Sequence, residues 1–150
     1  NTDGLHQLAG SSPGLVHEIH GSARTWRCEM CGRTGPMEEM LERVAGGDED
    51  PRCPHCGGIT RATVILFEEV LDAEVLEAAV AAAEDCDAIV AVGTTLGVYP
   101  VAGLFPLALE GGALGVIVNA EPTAYDSDAH QVVRGQLDDV LPGLLGVAVE

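Results

Sequence analysis

The sequence predicts an α/β fold: a Rossmann-like parallel sheet, partial in extent, with a small zinc-ribbon module. Two observations predict the sheet. Short, β-branched apolar runs at 63–67, 88–93 and 114–120 alternate with stretches of helical periodicity. Runs apolar on both faces, separated by helices, indicate parallel strands covered on both sides. A third observation predicts the module: the cysteines at 28, 31, 53 and 56 form two Cys-x-x-Cys-Gly knuckles.

The first 23 residues are polar and loop-like, with glycines at 4, 10, 14 and 21. Residues 24–62 hold the cysteine pairs around PMEEMLERVAGGDEDP, where Met37, Met40, Leu41 and Val44 recur at helical spacing and Gly46-Gly47 ends the helix. From 63 the character changes. TVILF (63–67) reads as a buried strand. Asp72 then caps a helix whose Val75, Leu76, Ala79, Val80 and Ala83 share a face. AIVAVG (88–93) is a second strand, Pro100 to Leu109 a helix, and LGVIVNA (114–120) a third strand. Val132-Val133 is expected to add a short fourth, and Gln136–Leu145 a closing helix.

The 150 residues suffice for one domain with a real core and a small satellite. The opening Asn-Thr-Asp-Gly-Leu-His lacks a charged-then-apolar leader, and the expectation is a fragment of a longer protein missing its N-terminal part. No apolar stretch approaches the ~20 residues of a membrane helix. The net charge is −17, and all seven basic residues are arginines. Such a surface repels phosphate backbones, so direct nucleic-acid binding is not expected. Paired cysteines without an export signal argue for a metal and a reducing cytoplasm rather than disulfides. Cys86, after an alanine-rich run, reads as a small buried hydrophobe.

Two residues between thiolates let one tight turn offer both sulfurs to one ion. The glycine that follows tolerates positive φ, so backbone N–H groups can point at the sulfurs. The 21 residues separating the pairs (32–52) fit a zinc-ribbon insertion. Four thiolates from Cys28, Cys31, Cys53 and Cys56 close a tetrahedral shell suited to one structural Zn²⁺, with iron the rival metal. Neither His20 nor His55 is then needed as a ligand, and His55 is expected to point outward. In open parallel sheets ligands bind at the carboxyl ends of strands. Gly93-Thr94-Thr95 and Asn119-Ala120-Glu121-Pro122-Thr123 punctuate two such ends, which suggests a shared ligand site.

Alone, a histidine between Ile19 and Gly21 reads as structural. Its company reads differently. Asn1-Thr2-Asp3-Gly4-Leu5-His6-Gln7, His17-Glu18-Ile19-His20-Gly21-Ser22, the two cysteine pairs, Ile65-Leu66-Phe67, Val92-Gly93-Thr94-Thr95-Leu96 and Val118-Asn119-Ala120-Glu121-Pro122-Thr123 follow one another in an order that resembles the sirtuin family of NAD-dependent protein deacylases. The resemblance covers essentially the whole chain. It implies a DHS-like NAD-binding fold, divided into a catalytic-loop segment (1–23), a zinc module (24–62) and the C-terminal half of the NAD-binding domain (63–150). It also implies NAD+ as co-substrate and an acyl-lysine protein or peptide as partner.

By that resemblance Asn1 positions the nicotinamide ribose and Asp3 meets the carboxamide. His20 matches the family's catalytic base. In the family reaction an acyl-lysine oxygen attacks the ribose carbon as nicotinamide leaves, the histidine takes a proton from the ribose hydroxyls, and the acyl group passes to ADP-ribose. Imidazole suits this role because its intrinsic pKa, near ~6.5, lets it accept a proton at neutral pH. Gly93, Thr94 and Thr95 look like the family's Gly-Thr-Ser, with Thr95 keeping the hydroxyl. Asn119 and Glu121 look like the contacts to the adenosine ribose, and a carboxylate accepting ribose hydroxyls favours NAD over its 2′-phosphorylated form.

Ile65, Phe67 and Glu68 fall in the loop that pairs with substrate peptide as an added strand. Here Phe67-Glu68-Glu69 stands where the family usually reads Phe-Gly-Glu. Thr2 replaces a common isoleucine or valine, and the family's N-terminal Gly-Ala-Gly-x-Ser loop does not occur in the sequence, so these residues alone are expected to bind NAD poorly. The alternatives are an ADP-ribosyltransferase of the same fold and a non-catalytic zinc-ribbon or NAD-binding module.

Overall fold

The computed structural model describes residues 1–146; the last four residues of the 63–150 segment lie outside the described residues. The chain divides into two compact units, Asn1–Leu76 and Glu77–Glu150.

The first unit opens with one helical turn, α1 (Leu5–Leu8), inside the segment expected to be loop. Asp3 Oδ1 accepts the Leu5 N–H at 2.9 Å and so starts that turn. A three-stranded antiparallel sheet follows, from β1 (Thr25–Cys28), β2 (Thr34–Pro36) and β3 (Thr60–Ala62), with β1 central. The helix α2 (Met37–Ala45) packs over it. Of its expected apolar face, Met40 is buried, Met37 half-buried, and Leu41 and Val44 exposed. The core here is small: Trp26, Cys28, Met40 and Cys53. It packs so closely that a Cβ on Gly35 would lie 2.7 Å from Trp26 Nε1.

The strand expected over 63–67 does not form. Pairing ends at Ala62; beyond it Thr63 still donates to the Thr25 carbonyl and Ile65 to the His20 carbonyl, each at 2.9 Å. Leu66 and Phe67 then stand exposed, Phe67 at 90%. The chain turns there because Glu68 adopts φ 72, which breaks the extended conformation a strand requires. An apolar, β-branched run has become an extended loop.

The helix α3 (Ala73–Glu84) begins as the sequence predicts, with Asp72 Oδ1 accepting the N–H groups of Glu74 (3.0 Å) and Val75 (3.3 Å). Of its predicted face, Ala79 and Ala83 are buried. In the second unit β4 (Ala88–Val92), β5 (Leu114–Val118) and β6 (Gln131–Val133) form a parallel sheet in that order, with Val92 opposite Val118. The helix α4 (Leu104–Glu110) follows a 3-10 turn at Val101–Gly103 and lies against β4 and β5. Its Phe105, 1% exposed, packs with Ala91, Leu96, Ala102 and Ile117. Beside it Ala83, Ala108 and Ala113 form a tight seam that includes the half-buried Cys86. The helix α5 (Leu137–Leu145) ends the described residues. One sequence expectation fails in this sheet: β4 is not covered on both faces, since Val90 and Val92 are 55% and 41% exposed. Alternate residues of a strand share a face, so Val90 and Val92 mark one exposed face of β4 while Ala91 on the other is buried.

Candidate functional site

The four knuckle cysteines meet. Their Sγ atoms all lie within 4.8 Å of one another, with Cys28 to Cys56 at 3.5 Å and Cys31 to Cys53 at 3.8 Å. Four sulfurs held at 2.3 Å by a tetrahedral ion are separated by roughly 3.8 Å, so this cluster fits one zinc. The two knuckles are one turn used twice. Gly32 (φ 70) donates to the Cys28 carbonyl and Gly57 (φ 73) to the Cys53 carbonyl, each at 2.9 Å. A Cβ on Gly58 would lie 2.9 Å from Cys28 Sγ, so that position must stay bare. His55 is exposed, as expected.

The thiols do not share charge evenly. The Cys31 N–H is the main influence pulling Cys28 down, against its burial, to about 6. At Cys56 the Gly58 N–H acts downward, but the neighbouring thiols of Cys28 and Cys31 prevail and push it up to about 12. Four thiolates so close repel one another, and a divalent cation supplies the countercharge that lets all four ionise.

His20 occupies a backbone clamp. Gly21 at φ 71 passes so near the 63–64 segment that a Cβ there would lie 2.2 Å from the Thr63 carbonyl oxygen, which only glycine permits. Ile19 and Ser22 on either side are buried. The His20 carbonyl receives the Ile65 N–H, and the Ser22 carbonyl receives the Thr63 hydroxyl at 3.0 Å. Its half-buried imidazole makes no hydrogen bond among the described residues.

The N-terminal segment is tied to the residues after His20. Ala23 donates to the Thr2 carbonyl and Arg24 Nε to the Asp3 carbonyl, both at 2.7 Å. Asn1 and Asp3 line a cavity of about 440 Å³ with His6, Gln7 and His17. A larger open cavity, about 890 Å³, is lined by His17, Glu18, Ser22, Ile65 and Glu68 among others. His20 and Phe67 line neither. His17 lines both, a position the sequence marked only as part of a motif.

In the second unit the two strand-end turns stand side by side, because β4 and β5 are parallel neighbours in register. Gly93 turns at φ 62 and donates to the Val118 carbonyl at 2.9 Å. Thr94 Oγ1 accepts the Leu96 N–H, and Thr95 is exposed. Asn119 is 8% exposed; its Nδ2 donates to the Glu121 carbonyl at 2.8 Å, leaving the Glu121 side chain outside. The loop is braced by Arg134, which donates to the Asn119 carbonyl at 3.1 Å and pairs with Asp126. That pairing, with the Thr123 hydroxyl, holds the Asp126 carboxyl below its usual range. Arg134 went unsingled in the sequence, where nothing but its rarity as a base among 24 acids marks it.

A second arginine missed by sequence reasoning is Arg61. Its guanidinium reaches Glu29 Oε1 at 3.0 Å inside the first knuckle, the Val64 carbonyl at 3.1 Å, and Glu69 of the following loop. Arg27 joins through Glu29 at 2.8 Å.

A parallel α/β sheet in one unit and four clustered cysteines able to hold one metal ion in the other define an α/β protein of Rossmann-like type with a candidate metal module. The Sir2 family model matches residues 1–100, and the chain belongs to the Sir2 family. It is 49% identical over 145 residues to NAD-dependent protein deacetylase 2 of Streptomyces coelicolor, covering 97% of this chain and 60% of the relative. It is 42% identical over 147 residues, with the same coverages, to the NAD-dependent protein deacylase of Mycobacterium leprae. Among solved structures, Sir2Af2 bound to a myristoylated histone peptide superposes with a TM-score of 0.86 at 39% identity, over 97% of this chain and 61% of that one. A Sir2–p53 peptide–NAD+ complex gives 0.88 at 27%, over 97% and 60%. The chain thus spans about 60% of the length of the relatives it matches.

Proposed function

We propose that the chain is the larger part of an NAD-dependent protein-lysine deacylase, which transfers the acyl group of a modified lysine to ADP-ribose and releases nicotinamide. The carrying observation is the clamp at His20. The residue read as the base and the loop read as the peptide-binding strand share one backbone hydrogen bond, Ile65 N–H to the His20 carbonyl. Relatives named as deacetylase and deacylase, and neighbours solved with acylated and p53 peptides, support the same reading.

In this reading the imidazole of His20, without a hydrogen-bond partner among the described residues, takes a proton from the ribose hydroxyls. Asn1 and Asp3 orient the nicotinamide end. Gly93, Thr94 and Thr95 present a bare turn and two hydroxyls to the dinucleotide, and Asn119 and Glu121 receive the adenosine ribose. NAD+, when bound, supplies the ribose carbon that the acyl oxygen attacks. The buried Asn119 and the two adjacent strand ends are donor sets suited to such a ligand. Ile65, Phe67 and Glu68 flank the peptide. Cys28, Cys31, Cys53 and Cys56 hold zinc in a closed shell that takes no part in the chemistry.

Among the described residues no helix is long and apolar enough to cross a membrane. A reducing cytoplasm is the compartment that keeps these thiols available to a metal. The acidic surface gives no support to direct nucleic-acid contact.

The test uses the complete natural protein with NAD+ and an acetyl-lysine peptide. Nicotinamide release is expected only with the peptide, and His20→Ala is expected to lower it at least ~100-fold. Release by that variant at the parental rate removes the base assignment. Mass spectrometry of the peptide separates loss of an acyl group from gain of ADP-ribose, the outcome that would favour transferase chemistry.

A further inference from the structure

The 65–69 loop is fastened at both ends. Near its start, Ile65 donates to the His20 carbonyl at 2.9 Å. At its far end, Glu69 folds back: its Oε2 accepts the Leu66 N–H at 2.8 Å, its own N–H donates to the Leu66 carbonyl at 3.1 Å, and its Oε1 pairs with Arg61. Arg61 is anchored in turn. Its Nε meets Glu29 Oε1, and Glu29 sits between Cys28 and Cys31 with its N–H on the Ile59 carbonyl at 2.9 Å. Its remaining terminal nitrogen holds the Val64 carbonyl. One guanidinium therefore spans the first metal knuckle, the chain entering the loop, and the carboxylate that closes it. Lysine cannot copy this, since three fixed directions are used at once.

We propose that Arg61 is a positioning residue for the acyl-peptide substrate: it locks the Ile65–Glu69 loop in the shape that accepts the peptide and makes that shape depend on the Cys28-Glu29-Met30-Cys31 knuckle. The substrate part of this inference rests on the deacylase reading above. The loop needs such a lock because it is otherwise poorly held. Phe67 and Val70 are about nine-tenths exposed, at 90% and 91%, and Glu68 holds φ 72 without a side-chain partner among the described residues. Burial disfavours the charged form of Arg61, but the carboxylates of Glu29 and Glu69 outweigh it and raise the guanidinium pKa further. Glu69 is held below its usual range first by the Leu66 N–H and then by Arg61, so the pair it forms with Arg61 stays ionised near neutral pH. Peptide recognition by strand addition depends on the backbone shape of the receiving edge, so a misfolded edge weakens binding before it slows chemistry.

The experiment uses the complete metal-loaded protein and its Arg61→Gln, Arg61→Lys and Glu69→Gln variants, each checked for metal content. Arg61→Gln is expected to raise KM for the acetyl-lysine peptide roughly tenfold, with kcat and the KM for NAD+ within about twofold. Arg61→Lys is expected to recover only part of that loss. Independently of turnover, amide exchange at Leu66 and Glu69 is expected to quicken about tenfold in Arg61→Gln while the amides of β4 and β5 are unchanged. Peptide KM within twofold of the parent, or loop exchange unchanged, overturns the proposal; should Arg61→Gln fail to fold, Glu69→Gln carries the same two readouts. A parent protein that releases no nicotinamide defeats the deacylase reading instead, and the exchange measurement still decides whether Arg61 locks the loop.

Discussion

The two units hold their polar sites in opposite ways. In Glu77–Glu150 the strand-end turns ride on a parallel sheet whose order comes from apolar packing: Phe105 and Ile117 are essentially sealed, and the adjacency of the two turns follows from the register of β4 against β5. In Asn1–Leu76 the main apolar cluster is Trp26, Met40 and two cysteines of the group that could hold a metal ion. There the clamp at His20 and the loop at 65–69 are fixed by backbone hydrogen bonds, carboxylate–guanidinium pairs and the cysteine cluster. Small modules with too little core commonly lean on a metal in this way. The units should therefore fail under different insults.

Removing the metal is the largest expected effect. A strong chelator, or Cys53→Ser, is expected to abolish protection of the amides of β1, β2 and β3, because four clustered thiols lose the countercharge that joins the knuckles. The amides of β4 and β5 are expected to stay protected in the same exchange experiment; simultaneous loss would dissolve the contrast. The converse substitution is Phe105→Ala, which opens a cavity in the core of the second unit. A cost of about 3–5 kcal/mol is expected by denaturant titration, with the cysteine cluster still binding metal.

Acid should sharpen the comparison in a third way, since both units have a loop tied by a lowered carboxylate. Glu69 is lowered by the Leu66 N–H and Arg61, and Asp126 by Arg134 and Thr123. A carboxyl with a lowered folded-state pKa binds fewer protons folded than unfolded. Its contribution is therefore complete above its ordinary pKa and disappears as the pH falls through the folded value. Exchange at Leu66 and in the 119–126 loop is expected to quicken together below about pH 4, while the amides flanking Phe105 keep their protection. The smallest effect is expected at Glu68. With φ 72 and no side-chain partner among the described residues, Glu68→Gly is expected to stabilise the first unit by ~1 kcal/mol, read from a denaturant midpoint. A loss of stability would mean that the Glu68 side chain makes a contact that offsets its strain.

The readable parts of this sequence were those with short-range causes. The cysteine knuckles, the glycines of their turns and the Asp72 cap all follow from spacings of two or three residues, and the structure has the four sulfurs clustered, those turns and that cap. The strand at 63–67 was misread for the complementary reason. Val64 and Ile65 carry a strand's composition, but strand formation requires a partner in register, and β1, which pairs with Thr60–Ala62, begins at Thr25 and leaves no strand opposite Val64 and Ile65 among the described residues. Likewise Leu41 and Val44 sit at helical spacing yet face solvent, because the neighbouring sheet has three short strands and covers only the Met37–Met40 side.

By itself, then, the sequence determined the four-cysteine cluster, the Asp72 cap and the alternation of strand and helix that follows it. Local geometry and residue chemistry suffice for each. Only the tertiary structure decided that Gly93 and Asn119 are neighbours, which requires the parallel register of β4 and β5, and that Arg61 joins Glu29 to Glu69. Contacts between residues separated by 25 or more positions, such as Gly93 with Val118 or Glu29 with Arg61, leave no periodic trace in the chain. They exist because folding brings a charge or a carbonyl to one particular place, and a long-range coincidence of that kind is not written in either partner alone.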